Sequence, residues 1–386
     1  MATNKKQRLI AGLSLNKLAD LLISTKTTLT ALLLALGAPT WMIGWLVPIR
    51  ESGALLPQAL ISYYLRQHKA RHHIWRLGIV TQGSCVVAML LAALFLDGAQ
   101  AGFAILGALI MLSIGRSACS LTVKDMEADV AKKGERGGLI GMASTLSGVA
   151  TLAVALPLFI FNDALDSWAL AGIIGLSAVI FFCTLLCMWP IKTSIESDDA
   201  SGSLFSVHFD ATVYKFIFVR GLFVHSALVA PYFMIQKGDN ASELLPVYIA
   251  AEALAALLSS IVWGKIADKS ATLTLQMAGG LALAACIGLL SITNDSLFVS
   301  AGLFFVLSIA HAGVRTGRKT YSLDVKEGQE RTELVGFSNT AIGLILLAFG
   351  GFYALLTPNI SFSVVYIMAS VLFVAMLATL ILPKEK

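Results

Sequence analysis

The chain has 386 residues, 57% of them hydrophobic and only 13% charged, with a mean hydropathy of +0.81. A soluble domain carries about 25% charged residues, so this composition excludes a protein whose only solvent is water. The formal charge of +5 is explained by where the basic residues fall along the chain, and it is no nucleic-acid footprint.

Apolar runs bounded by glycine, proline and charge divide the chain into twelve expected membrane spans. Those of the first half lie at 15–36, 41–65, 77–96, 102–122, 138–161 and 168–189, and those of the second at 213–236, 244–264, 272–293, 297–315, 334–356 and 361–382. Ile173–Trp189, Leu275–Ile292 and Phe362–Leu382 contain no charge, and they match the roughly 17–25 residues that a spanning helix needs. The basic segment Met1–Arg8 is not followed by a small-residue cleavage site, so the first run is expected to stay as a span. Residues 191–212 include the polar, Ser- and Asp-rich stretch Ser194–Ser206. They read as a flexible linker between a six-helix bundle at 1–190 and a second at 213–386. The expected fold class is therefore all-α and transmembrane.

Of the 28 Lys and Arg residues, twenty-two fall on the side shared by both termini, one (Lys237) on the opposite side and five within spans. The positive-inside rule then places both termini in the cytoplasm of a multi-pass cell-membrane protein, with a bacterial inner membrane expected. The outer loops are too short to hold a catalytic domain, and the sequence has no G-x-x-x-x-G-K-[S/T] or H-E-x-x-H motif. All five cysteines fall inside spans without metal-ligand spacing. No enzyme activity, cofactor or metal is expected.

Shifting the chain by 195 residues aligns positions 112–152 with 307–347 at thirteen identities. Among them Asp129 falls on Asp324, Arg136 on Arg331, Gly141 on Gly336 and Gly148 on Gly343. Shared charges in loops are hard to obtain from apolar bias, so the halves read as a duplication. Parallel repeats with a substrate site between them are a known transporter plan.

Several of these features resemble the major facilitator superfamily. Trp263-Gly264-Lys265-Ile266-Ala267-Asp268-Lys269 is similar to its G-x-L-A-D-R loop, after the eighth span. Asp129-x6-Arg136 and Asp324-x6-Arg331 resemble its acid-x6-Arg loops after the fourth and tenth. Arg116 sits where the family often carries an arginine in span four. The resemblance implies two pseudo-symmetric six-helix bundles and transport by alternating access. The acid–Arg loops would act as conformational switches, through bidentate pairs that break and re-form. A solvated charge run is the plainer alternative.

Ionisable residues fall in spans one, two, four, seven, eight and ten, and none in three, six, nine and twelve, the four that face lipid in the resembled fold. A charge at the bilayer centre costs roughly 2.5–3.5 kcal/mol on insertion scales, so each retained one is a functional candidate. Counted from the outer ends, Lys26, Arg50, Glu51, His225 and Glu252 lie roughly 13–16 Å deep. Lys26 with Glu51 corresponds to His225 with Glu252 at offsets of 199 and 201. The two sets read as proton or substrate sites, with static helix-locking pairs as the alternative. Asp20 and Arg220 read as a gate across the halves. Arg116 is expected on the substrate path, and His311 as a core histidine with a hydrogen-bond partner. The expected function is proton-driven movement of a small organic solute, with midplane cations favouring an anionic or zwitterionic one. A transporter-like sensor without net flux is the alternative. Substrate, protons and lipid are the expected partners, nucleic acid is not, and the chain is expected to be monomeric.

Overall fold

The computed structural model describes residues 2–58, 60–61, 71–130, 136–160, 167–193, 211–236, 241–291, 296–325, 328–359 and 363–383. Among them the chain is helical throughout, and the helices form twelve spans in two pseudo-symmetric bundles of six. Eight are long and apolar enough, by length and composition, to cross a membrane, including Arg71–Phe95, Trp168–Met188, Ala271–Ser291 and Leu334–Leu356. Most of the expected linker, Ser194–Ser206 included, lies outside the described residues.

Several spans are longer than the apolar runs that mark them. The first begins at Ala2, the fourth is Gly98–Val130, and the tenth is Leu297–Asp324 rather than ending at 315. At 1.5 Å per residue the fourth reaches about 50 Å, against a hydrocarbon core of about 30 Å. The polar turns on the side of the termini therefore project beyond the apolar slab, where water allows charge on a helix.

The first and seventh spans are broken at matching depths. The first divides into Ala2–Leu22 and Thr28–Ala35, and the seventh into Ala211–Leu222, His225–Leu228 and Ala230–Ile235. The second is also divided, into Thr40–Gly44 and Leu46–Leu55. A break frees carbonyls that an intact helix would bond, and such backbone persists at membrane depth only where it lies in protein or lines a wet cavity.

The halves meet through spans one, two, five, seven, eight and eleven. Gly350 lies so close to Pro48 that a Cβ would overlap its ring, and a Cβ on Gly148 would come within 2.6 Å of Leu257. Thr28–Ala35 also packs on Ala230–Ile235, which closes the contact between spans one and seven on the side away from the termini. Spans three, six, nine and twelve lie outside these contacts and expose Leu91, Leu186, Ile287 and Leu377, as lipid-facing helices do.

Candidate functional site

The break in the first span builds the centre of the N-terminal half. Helix Ala2–Leu22 ends with carbonyls that lack helical donors, and Arg50 supplies them. Its Nη1 donates to Ile23 O at 2.8 Å and its Nη2 to Asp20 O at 3.2 Å. A cation at a helix C-terminus also complements the helix dipole. The same guanidinium pairs with Asp20 Oδ1 at 3.0 Å, and Arg116 pairs with Asp20 Oδ2 at 3.2 Å. One carboxylate thus faces two guanidinium groups. Arg50 is 5% exposed, whereas the Arg116 side chain is 33% exposed.

Past the break, Lys26 turns toward the other half. Its Nζ lies 3.8 Å from Glu252 Oε1, and Ser24 Oγ donates to Glu252 Oε2 at 3.0 Å. The expected sets, Lys26 with Glu51 and His225 with Glu252, are therefore replaced by one ion pair across the halves. The unwound segment Ile23–Thr27 redirects Lys26 away from its helical azimuth. Glu51 points elsewhere, as adjacent helix positions about 100° apart require. It has no cation within 4 Å among the described residues, although the field of Arg116, Lys26, Arg318 and Arg315 reaches it.

Glu51 lines a narrow cleft of about 20 Å³, partly open to solvent, with Arg220, Phe223, His311, Arg315, Arg318 and Leu346 among its other walls. Arg220 donates to Ser338 Oγ at 2.8 Å and to Asn339 Oδ1 at 2.7 Å. The expected Asp20–Arg220 gate is not formed, because each residue is held inside its own half by nearer partners. Asn339 Nδ2 in turn donates to Gln58 Oε1 across the halves at 3.1 Å.

His225 is fully buried, and both ring nitrogens are engaged. Leu222 O can only accept, so Nδ1 carries the proton at 2.8 Å, and Nε2 accepts from the Tyr353 hydroxyl at 2.7 Å. This imidazole mends the break in the seventh span much as Arg50 mends that in the first. It has no cavity exposure. His311 Nδ1 lies 3.2 Å from Ser226 Oγ, the hydrogen-bonded histidine expected.

Of the loop candidates, Gly264, Asp268 and Lys269 sit at the end of Ala241–Ala267, where Asp268 N bonds Gly264 O at 2.9 Å and both charged side chains are exposed. Asp129 is exposed near the end of its helix, and burial with the neighbouring Asp125 carboxylate raises its pKa. The side chains of Arg136, Asp324 and Arg331 lie outside the described residues.

Arg315 and Arg318 were expected among the loop cations after span ten. With His311 they share one helical face at i, i+4 and i+7, a spacing visible in the sequence once the helix is known to continue. Gln58, Ser338 and Asn339 carried no signal, since isolated polar residues are common in spans, whereas Ser24 shares a polar face of span one with Asn16, Asp20 and Thr27.

No protein-family model matches the sequence, and no curated protein does. Solved structures match by shape. A D-xylose–proton symporter superposes with a TM-score of 0.72 at 13% identity, over 100% of this chain and 98% of that one. The inward-open xylose transporter XylE from E. coli gives 0.70 at 13%, over 98% and 95%. The fold is that of the major facilitator superfamily. A POT family transporter in complex with 5-aminolevulinic acid fits this major facilitator fold equally well, at a TM-score of 0.72, 11% identity, and 97% and 94% coverage. Within it, the candidate site of this chain lies between the halves, beside the breaks in spans one and seven.

Proposed function

We propose that the chain is a proton-coupled secondary transporter that moves a small organic anion by alternating access, with both termini in the cytoplasm. One observation carries this reading: Lys26, Arg50, Arg116, Arg220, Arg315 and Arg318 surround the space between the halves, against Asp20, Glu51 and Glu252. Six cations face three carboxylates, and those at membrane depth, such as Lys26, Arg50 and Arg220, are kept where a bare charge costs roughly 2.5–3.5 kcal/mol. A cation surplus kept at that cost is explained by an anion that binds and leaves. The packing of Thr28–Ala35 on Ala230–Ile235 is consistent with an arrangement closed to the outside and open to the cytoplasm. The symporter among the similar structures lends weight to proton coupling.

Glu51 is the carboxylate best placed to carry the proton. Asp20 is held by two guanidinium groups and Glu252 by Lys26 and Ser24, whereas Glu51 faces the cleft without a direct ion pair. In proteoliposomes, Glu51→Gln is expected to abolish uptake driven by a pH gradient while retaining exchange of labelled for unlabelled anion. Gradient-driven uptake at the parent rate would remove Glu51 from the coupling. A binding protein without net flux would give no exchange at all.

A further inference from the structure

Among the described residues, three guanidinium groups in the C-terminal half are left without acids by the ion pairs described above. Arg220 is 92% buried (8% exposed), its Nη atoms rest on the neutral Ser338 and Asn339, and its buried Nε has no partner. Arg315 and Arg318 line the same cleft, and neither has a carboxylate within 4 Å among the described residues. Among the described residues only Glu51 opposes them there, so the described wall carries a surplus of two positive charges. Phe223, Val224, Val314 and Leu346 complete it as an apolar surface.

We infer that this cleft, narrow in the present arrangement and widened as the bundles part, is the docking site of an organic dianion, held by Arg220 and Arg318, with its carbon body against Phe223 and Leu346. This rests on the anion-transport reading and narrows it. A monoanion would leave the wall charged, and a neutral sugar would leave the buried Arg220 and the half-buried Arg318 without a counter-charge. Guanidinium donors form planar forks that fit carboxylate and phosphoryl oxygens alike, so dicarboxylates and phosphate monoesters share the required chemistry. Lys26 and Arg50, the more obvious basic residues, are occupied by Glu252 and Asp20 and serve the scaffold. The anchor also reaches the other half: Asn339 accepts from Arg220 through Oδ1 and donates to Gln58 through Nδ2. An anion that draws on Arg220 therefore acts on a contact between the bundles.

The test uses the full chain in lipid nanodiscs, titrated calorimetrically with succinate, glycerol 3-phosphate, butyrate and xylose. At least one dianion is expected to bind at least about tenfold more tightly than butyrate, with xylose not binding. Arg318→Gln should weaken that binding about tenfold or more, Arg220→Gln should abolish it, and Glu51→Gln should tighten it by removing a like charge. If Arg220→Gln does not fold, the half-buried Arg318 carries the test. A margin over butyrate below tenfold, or parent-like dianion binding by Arg318→Gln, overturns the assignment. Dianion binding without counterflow in proteoliposomes retains this site and overturns only the transport reading. Counterflow of butyrate or xylose that Arg318→Gln leaves intact retains transport and overturns the site.

Discussion

Asp20 faces two arginines that differ in weight. Arg50 is buried and also satisfies two backbone carbonyls, so Arg50→Ala leaves the half-buried Asp20 with Arg116 alone and frees the carbonyls at the end of a helix. That loss is expected to cost about 3–5 kcal/mol. The Arg116 side chain is one-third exposed, and Arg116→Ala is expected to cost about 0–1 kcal/mol. Thermal unfolding of the two variants in the same detergent checks the order, and equal losses would contradict it. The same residues show what a sequence repeat can and cannot reveal. That Arg50 and Glu51 must point in different directions was legible, because helical geometry fixes it. The pairing of Asp20 with Arg220, and of His225 with Glu252, was inferred from equivalent or neighbouring depth. Equivalent positions in a duplication lie in different halves, each with its own neighbours, so alignment gives correspondence and not adjacency.

The spans were legible as elements because twenty apolar residues in a row have few other uses. Their ends and breaks were not. Ser24-Thr25-Lys26-Thr27 contains neither proline nor glycine, the usual punctuation, and its unwinding is set by Arg50 and Glu252 from other spans. The cluster Arg315, Arg318, Lys319 read as a loop because charge normally ends a span, yet here the helix continues beside a wet cavity. Contact between spans two and eleven depends on small residues. Gly350→Leu drives a side chain into Pro48, and overpacking of this kind is expected to destabilise by about 1–3 kcal/mol. Gly141 is exposed with open space around its Cβ position, so Gly141→Leu should change stability by less than about 0.5 kcal/mol. Paired melting curves check both, and similar losses at the two sites would contradict the packing argument.

At the scale of the molecule, two bundles enclose costly charge, and polar links span the seam. Lys26 with Glu252, and Asn339 with Gln58, are two of these links. Lys26→Glu and Glu252→Lys each place like charges in contact, and each is expected to lower both melting temperature and transport. The double reversal should recover most of the melting temperature, since the attraction is symmetric in sign. Its failure to do so would mean that the surrounding field, including Arg315 and Arg50, fixes which end must be positive. The two-bundle plan and the inventory of intramembrane charges were readable from patterning. Which cations remained without acids was not, because that depends on distances of a few ångströms between spans far apart in the chain.

The interruption at Ile23–Thr27 also leaves its mark on the amide groups there. The amides of Lys26 and Thr27 hold only long contacts, at 3.3 Å to Ser24 Oγ and 3.4 Å to Ser24 O. Deuterium should replace these protons far sooner than those of the regular turns on either side. Two fast-exchanging positions at mid-bilayer depth would act as a built-in reporter, readable by mass spectrometry without any attached label, and slowed whenever cargo shields the gap from water.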